Sequence, residues 1–227
     1  MPTPAAVLFD AYGTLFDVYS VTARAEQLFP GHGQALAAQW RTTQIDYTRL
    51  YTLSGRYKPF WDITQDALRY SLKRLKLSAD VAADAAAEKA LMSEYACLSA
   101  FPENVGTLKQ LKARGKRIGI LSNGDPKMLS IAINSAGMSG LFDWVLSVDV
   151  VEQFKTAPAA YALGPQAAGV PAHDILFVSS NCWDACCATW FGYQTLWVNR
   201  AGLPLEELGI TPTRTGTTLT DALTFFE

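Results

Sequence analysis

Five short apolar runs, set between helical patterns, constrain the fold of this chain more than any other feature of its sequence. They are AAVLF (5–9), RIGILS (117–122), WVLSV (144–148), ILFVS (175–179) and TLWVN (195–199). A strand that is apolar throughout has to be covered on both faces, which helices packed on either side of a parallel sheet achieve. Helical patterns accompany the runs: NVGTLKQLKARG, MLSIAINSAG, APAAYALGPQAAG and WDACCATWFG. Strand and helix alternating at this spacing predict an α/β fold with a Rossmann-like parallel sheet core.

The second run follows the first only after a long interval. Residues 18–97 carry long helical patterns at 35–54, 61–76 and 81–97 and no convincing strand. Gly55 and the pair Lys58-Pro59 separate the first two, and Leu77-Ser78 precedes the alanine-rich third. The expected organisation is an α/β core of residues 1–17 and 98–227 with an inserted all-helical cap of residues 18–97, its seams near 16–20 and 98–102. Ligands of open parallel sheets bind beyond the carboxyl ends of the strands, so a cap inserted after the first strand would roof that site. The stretch Thr211 to Thr220, rich in Thr, Gly and Pro, reads as loop, with a short helix at 221–226.

Composition narrows the partners. The chain has 227 residues, 49% hydrophobic and 18% charged, enough for a substantial core. A net charge of -2 gives no reason to expect nucleic acid, and small acids are better candidates. No stretch is long and apolar enough for a membrane span, and the start lacks the pattern of a signal peptide, so a cytoplasmic protein is expected. Cys97, Cys182, Cys186 and Cys187 read as free thiols, and with only two histidines a zinc site is not expected.

Polar residues collect where the strands should end: Asp10, Ser122-Asn123, and Ser179 through Asn181 to Asp184, with Lys155 in a loop beyond a strand. Each has a plain explanation alone. Asp10 could accept turn hydrogen bonds, Ser122-Asn123-Gly124 could cap a helix, and Asp184 could be an N-terminal helix charge. Their convergence on one rim of a sheet is the signal. Gly13-Thr14 fits a tight turn whose backbone donors form a small anion-binding nest. In the cap, Arg41 and Ile45 share a helix face, a guanidinium beside an apolar surface that suits a small carboxylate with a nonpolar part. Phe60, Trp61 and Trp183 are expected to line the same pocket.

These residues resemble the haloacid dehalogenase superfamily and, within it, the L-2-haloacid dehalogenases. The signature of a strand with an Asp-x-x-x-Thr turn, a later Ser, a Lys and a final acidic segment is matched by LFDAYGTLFD, ILSNG, the Lys155 region and SSNCWD. The dehalogenase branch is matched by Trp40-Arg41-x-x-Gln44-x-x-Tyr47 and by Ser180-Asn181-Cys182-Trp183-Asp184. The resemblance implies Asp10 as nucleophile, with Thr14, Ser179, Asn181, Asp184 and Lys155 supporting it. It implies that Arg41 draws off a halide, whereas the residues alone suggest a grip on the substrate carboxylate. Ser122 matches the carboxylate subsite, Asn123 and Tyr161 polar site positions, and Ile45, Phe60 and Trp183 apolar ones. One departure is Lys155-Thr156-Ala157-Pro158, where the family carries Lys-Pro-Asp-Pro, so a looser loop around Lys155 is expected.

Phosphatases of the superfamily carry a second Asp two residues after the first, and here that position is Tyr12. A phosphate ester leaves as a poor alkoxide and needs a proton; a halide needs only stabilisation of an anion. The resulting expectation is hydrolysis of short (S)-2-haloacids to (R)-2-hydroxyacids plus halide through an ester on Asp10. Amides near Ala11 and Tyr12 would stabilise the oxyanion, and no cofactor or metal is implied. Partners are a small 2-haloalkanoic acid, a halide and, from the family, a second copy in a homodimer through cap helices. A magnesium-dependent phosphatase and a non-catalytic binding protein on this fold are the alternatives.

Overall fold

The computed structural model describes residues 2–78 and 80–227. Met1, at the head of the expected core segment, and Ala79, the first residue of the alanine-rich run, lie outside the described residues. Six strands form one sheet: β1 (Ala6–Phe9), β2 (Arg117–Ser122), β3 (Trp144–Ser147), β4 (Ile175–Ser179), β5 (Gln194–Val198) and β6 (Arg214–Gly216). All neighbours are parallel in the order β3-β2-β1-β4-β5-β6. This is an α/β fold with the doubly wound order in which the chain reverses direction across the sheet next to β1. The crevice at such a reversal opens beyond the carboxyl ends of β1 and β4.

β1 shows why the apolar runs are continuous. Ala6 and Leu8 pack on one face with Tyr161, Phe177 and Tyr193; Val7 and Phe9 pack on the other with Leu108, Leu111 and Leu129. All four β1 side chains are fully buried, and truncating one as large as Leu8 costs about 2–5 kcal/mol. Double coverage does not extend to β3, where Val145 is 45% exposed, because β3 is an edge strand. The other edge departs further from the sequence reading. Residues 214–216, expected as loop, form β6, pairing Leu196 with Arg214 and Val198 with Gly216. A three-residue polar edge strand has no apolar run to announce it. The terminal helix is a 3-10 helix that starts at Leu219, two residues before the expected position, behind a capping box of Thr218 and Asp221.

Between β1 and β2 the chain forms α1 (Thr22–Leu28), α2 (Gly33–Leu53), α3 (Phe60–Arg74), α4 (Val81–Ala96) and α5 (Asn104–Ala113). No strand lies between Val18 and Cys97 among the described residues. The stops follow local chemistry: α2 ends before Gly55 at φ 64°, and Asp80 caps α4 by accepting from Ala82 and Ala83 N–H at 2.9 and 2.8 Å. Leu36, Trp40, Phe60 and Leu68 of α2 and α3 belong to the same apolar cluster as Phe9 and Tyr12, which fixes these helices over the end of β1. The remaining helices are α6 (Pro126–Ser135), α7 (Pro158–Ala168) and α8 (Cys182–Phe191). No helix among the described residues is long and apolar enough to cross a membrane.

Candidate active site

Asp10 lies one residue beyond β1, and its N–H still donates to Val178 O (2.9 Å), so the ladder with β4 fixes its backbone. The chain then turns tightly. Thr14, Leu15 and Phe16 N–H all reach Ala11 O (3.2, 2.8 and 3.0 Å), and Gly13 N–H reaches Phe16 O (2.7 Å). Gly13 stands at φ 97°, a conformation that favours glycine. These bonds correct the expectation of an anion nest at Gly13-Thr14: the amides there are consumed in closing the turn. By contrast, the N–H groups of Ala11 and Tyr12 meet no protein acceptor among the described residues. Asn104, unsuspected from sequence, secures the turn from α5 by donating to Thr14 O (3.1 Å) and Leu15 O (2.9 Å).

The Asp10 carboxylate is held at both oxygens. Oδ2 accepts from Thr14 Oγ1 and Asn181 Nδ2, each at 2.9 Å, and Oδ1 lies 3.1 Å from Lys155 Nζ. The same ammonium is 3.0 Å from Asp184 Oδ2, and Tyr161 OH donates to Asp184 Oδ1 at 2.7 Å. Lys155 and Asp184 are completely buried or nearly so. Burial alone would push the Lys155 ammonium down, but the carboxylates of Asp10 and Asp184 outweigh it and raise its pKa. Burial raises the Asp184 pKa, and Lys155 and Tyr161 only partly oppose this. Burial, reinforced by Asp184, keeps the Tyr161 hydroxyl protonated far beyond neutral pH. One cation thus serves two carboxylates.

The loop carrying Lys155 is not slack despite Thr156 and Ala157. Lys155 N–H donates to Asn123 Oδ1 (2.8 Å), Phe154 N–H to Thr52 Oγ1 of α2 (3.0 Å), and Pro158 opens α7. Ser122 and Gly124 do not cap a helix: Ser122 Oγ accepts from Gly124 N–H (3.0 Å), and the cap of α6 is Asp125, which accepts from Met128 N–H (3.0 Å). Ser179 Oγ accepts from Asn181 N–H (3.1 Å) at the start of α8, and Thr14 Oγ1 accepts from Ser180 N–H (2.8 Å). Asp184 does lie in the first turn of α8, yet its partners are Lys155 and Tyr161.

Arg41 reaches from α2 to the turn. One nitrogen donates to Tyr12 O (2.9 Å) and Asn181 Oδ1 (3.3 Å), the other to Gln44 Oε1 (2.8 Å). Gln44 is itself held: its Nε2 donates to Thr64 Oγ1 of α3 (2.6 Å) and to Tyr95 OH of α4 (3.0 Å). The Tyr95 ring stacks on Tyr12 with centroids 5.8 Å apart. Three helices therefore converge on one guanidinium through residues that are themselves buried.

A cavity of about 20 Å³ is bounded by Asp10, Tyr12, Arg41, Ile45, Phe60, Ser122, Asn123, Asn181 and Trp183, all expected from sequence, together with Thr48. Thr48 was missed, although it stands three residues from Ile45 on one helix face. Thr14, Lys155, Ser179, Asp184 and Tyr161 do not border the cavity: Thr14 and Lys155 hold Asp10 directly, Asp184 meets Lys155, Tyr161 meets Asp184, and Ser179 accepts from Asn181 N–H. Trp61 does not join them: it lines a separate groove of about 920 Å³ bordered by α3, α4 and α6. Cys182 and Cys186 have their sulfurs 4.0 Å apart, and burial pushes the Cys186 thiol up to about 12, so Cys186 is not set up as a nucleophile.

Comparison with known proteins places this geometry. Residues 4–189 match the model of the hydrolase family described as haloacid dehalogenase-like hydrolase. The chain is 42% identical over 221 residues to an (S)-2-haloacid dehalogenase of Pseudomonas sp. (strain YL), covering 97% of this chain and 94% of that one. It is 42% identical over 207 residues to haloacetate dehalogenase H-2 of Moraxella sp. (strain B), covering 91% of each. A crystal structure of an L-2-haloacid dehalogenase superposes with a TM-score of 0.95 at 62% identity over 99% of both chains. The L-2-haloacid dehalogenase of Xanthobacter autotrophicus, solved with chloropropionic acid covalently bound, superposes with a TM-score of 0.87 at 35% identity over 98% of both. The chain belongs to the haloacid dehalogenase-like hydrolases and, within them, to the L-2-haloacid dehalogenase family.

Proposed function

We propose that the protein hydrolyses short (S)-2-haloacids to (R)-2-hydroxyacids and halide through an ester on Asp10. The observation that carries the reading is the shared cation: Lys155 Nζ stands 3.1 Å from Asp10 and 3.0 Å from Asp184 in a buried setting. With Thr14 and Asn181, this cation fixes the orientation of the Asp10 carboxyl group as the nucleophile. In the first step an Asp10 oxygen bonds to C2 of the substrate from the side opposite the halogen. The carbon-halogen bond breaks, its electron pair leaves with the halide, and C2 inverts. Water then adds to the Asp10 carboxyl carbon, the bond between that carbon and the ester oxygen breaks, and the hydroxyacid departs with an oxygen that began on Asp10.

Arg41, with Asn181 and Trp183, is assigned to the departing halide, and Ser122 and Asn123, which line the same cavity, to the substrate carboxylate. The unpartnered Ala11 and Tyr12 amides are assigned to the oxyanion of the second step. Of Asp184, Ser179 and Asn181, only Asn181 borders the cavity, and the orientation of the water is assigned to it. Residues 18–97 act as the cap that closes over Asp10. A homodimer through the cap is supported by the exposure of Leu50, Leu53 and Tyr70 on α2 and α3. The test is chloride release from the separate enantiomers of 2-chloropropanoate, with the product's configuration read by chiral chromatography. Release from the S enantiomer with an R product supports the reading; release of phosphate from simple esters with no chloride from either enantiomer rejects it.

A further inference from the structure

Lys155 is carried to Asp10 by a backbone that is held from two sides. Phe154 N–H donates to Thr52 Oγ1 of α2 (3.0 Å), and Lys155 N–H donates to Asn123 Oδ1 just beyond β2 (2.8 Å). Two successive amides are thus fixed by side chains from different parts of the fold, the first by a helix of the insertion and the second by the rim of the sheet. Phe154 is fully buried and Lys155 nearly so. An acceptor lost at this point leaves a buried N–H without a partner, and the backbone has to shift to find one.

The contact continues a pattern that runs along α2. Arg41, Ile45, Thr48 and Thr52 follow one another at the three- and four-residue spacing of a single helix face. At one end of this stripe Arg41 meets Tyr12 O and Asn181 Oδ1 (2.9 and 3.3 Å), in the middle Ile45 and Thr48 border the cavity over Asp10, and at the other end Thr52 meets the segment that carries Lys155. At 1.5 Å per residue the ends of the stripe lie about 16 Å apart on one rigid element. Its seat is therefore felt both at the turn after Asp10 and at the support of the cation. The segment that follows α2 adds a grip on Phe154: the Tyr57 ring stacks on it with centroids 5.3 Å apart, Phe60 packs at 6.2 Å, and Tyr57 OH donates to Asp149 Oδ1.

We propose that Thr52 is a positioning residue: through Phe154 N–H it ties the seat of α2 to the placement of Lys155 beside Asp10. The proposal rests on the Asp10 reading above for the step that Lys155 serves. Thr52 does not border the cavity, so its effect on the reaction passes through Lys155. Thr52→Val keeps the branched shape and removes the acceptor, and Thr52→Ser restores an acceptor. Tyr57→Phe is the control, because it breaks a different hydrogen bond between the insertion and the core, the one to Asp149, and keeps the ring on Phe154.

The experiment measures steady-state chloride release from (S)-2-chloropropanoate, Tm, and hydrogen exchange of the peptide that contains Phe154, in the parent and all three variants. Thr52→Val is expected to lower kcat about tenfold with KM held within about twofold, the cost of a misplaced catalytic group, and to speed exchange at Phe154. Thr52→Ser is expected to return both most of the way. Tyr57→Phe is expected to lower Tm about as far as Thr52→Val does while its kcat stays within about twofold of the parent. Beside an active parent, a Thr52→Val enzyme with parental kcat would overturn the proposal, and so would a Tyr57→Phe enzyme that loses as much kcat as Thr52→Val, since the contact would then be general adhesion. No chloride from the parent, with faster exchange at Phe154 in Thr52→Val alone, would instead reject the haloacid reaction and keep the tie between α2 and Lys155; unchanged exchange would reject both.

Discussion

Replacing Lys155 with methionine keeps the bulk of the side chain and removes the one charge shared by Asp10 and Asp184. At 3.1 and 3.0 Å, and with an effective dielectric constant of about 20, each pairing is worth about 5 kcal/mol of attraction before the cost of burying the ammonium. Desolvation returns much of that, and removing one partner of a buried pair typically costs about 3–5 kcal/mol. The variant is expected to lose that much stability near pH 7, which a domain with about 5–15 kcal/mol survives. The sign with pH follows from the shifts. The Lys155 pKa is raised in the folded state, so its contribution is fully present below about pH 10 and is lost as pH climbs through the folded value. Asp184, already raised by burial, rises further without its cation, so the variant recovers stability as pH falls and a carboxyl takes up a proton. Guanidinium unfolding at pH 5, 7 and 9 reads the gap between parent and variant. A gap under about 1 kcal/mol at pH 7, or one that does not narrow toward pH 5, would refute the shared-cation argument.

Other perturbations test separate parts of the site. Gln44→Leu cuts Arg41 loose from Thr64 and Tyr95, and kcat is expected to fall about tenfold to a hundredfold with a smaller change in KM, while Gln44→Glu restores an acceptor and part of the rate; steady-state chloride release decides. At Gly124 an added Cβ would lie 2.6 Å from Tyr12 Cε2, so Gly124→Ala is expected to displace that ring, cost about 1–3 kcal/mol in thermal unfolding and lower turnover. Thiol titration at pH 8 should label exposed Cys97 first and leave Cys186, with its thiol near 12, unreacted until the protein unfolds.

Much of the architecture was legible because it rests on local patterns. β1, β2, β4 and β5 carry apolar runs and are buried almost throughout since both faces are covered, and Gly55 and Pro59 mark where helices stop and start. β6 was not legible: three polar residues at an edge look like the loop around them. The order of strands is a matter of crossovers that no local pattern encodes. At the site, Asp10, Ser122 and Ser179 were readable as polar residues at strand ends. The state of the turn was not, because which amides Gly13 and Thr14 leave free depends on how the carbonyls of Ala11 and Phe16 fold back. Gln44 appeared only as a letter of a motif, since its partners Thr64 and Tyr95 come from two other helices. Trp61 was misplaced beside Phe60 because neighbours in a helix point about 100° apart, and only one of the two faces Asp10.

The central claim concerns where the new oxygen enters. Multiple turnovers of (S)-2-chloropropanoate in ¹⁸O-labelled water, followed by mass analysis of the peptide that contains Asp10, measure it directly. The account predicts that Asp10 gains the label and that the hydroxyacid of the first turnover is unlabelled. Label in the first-turnover product, with Asp10 left unlabelled, would contradict it.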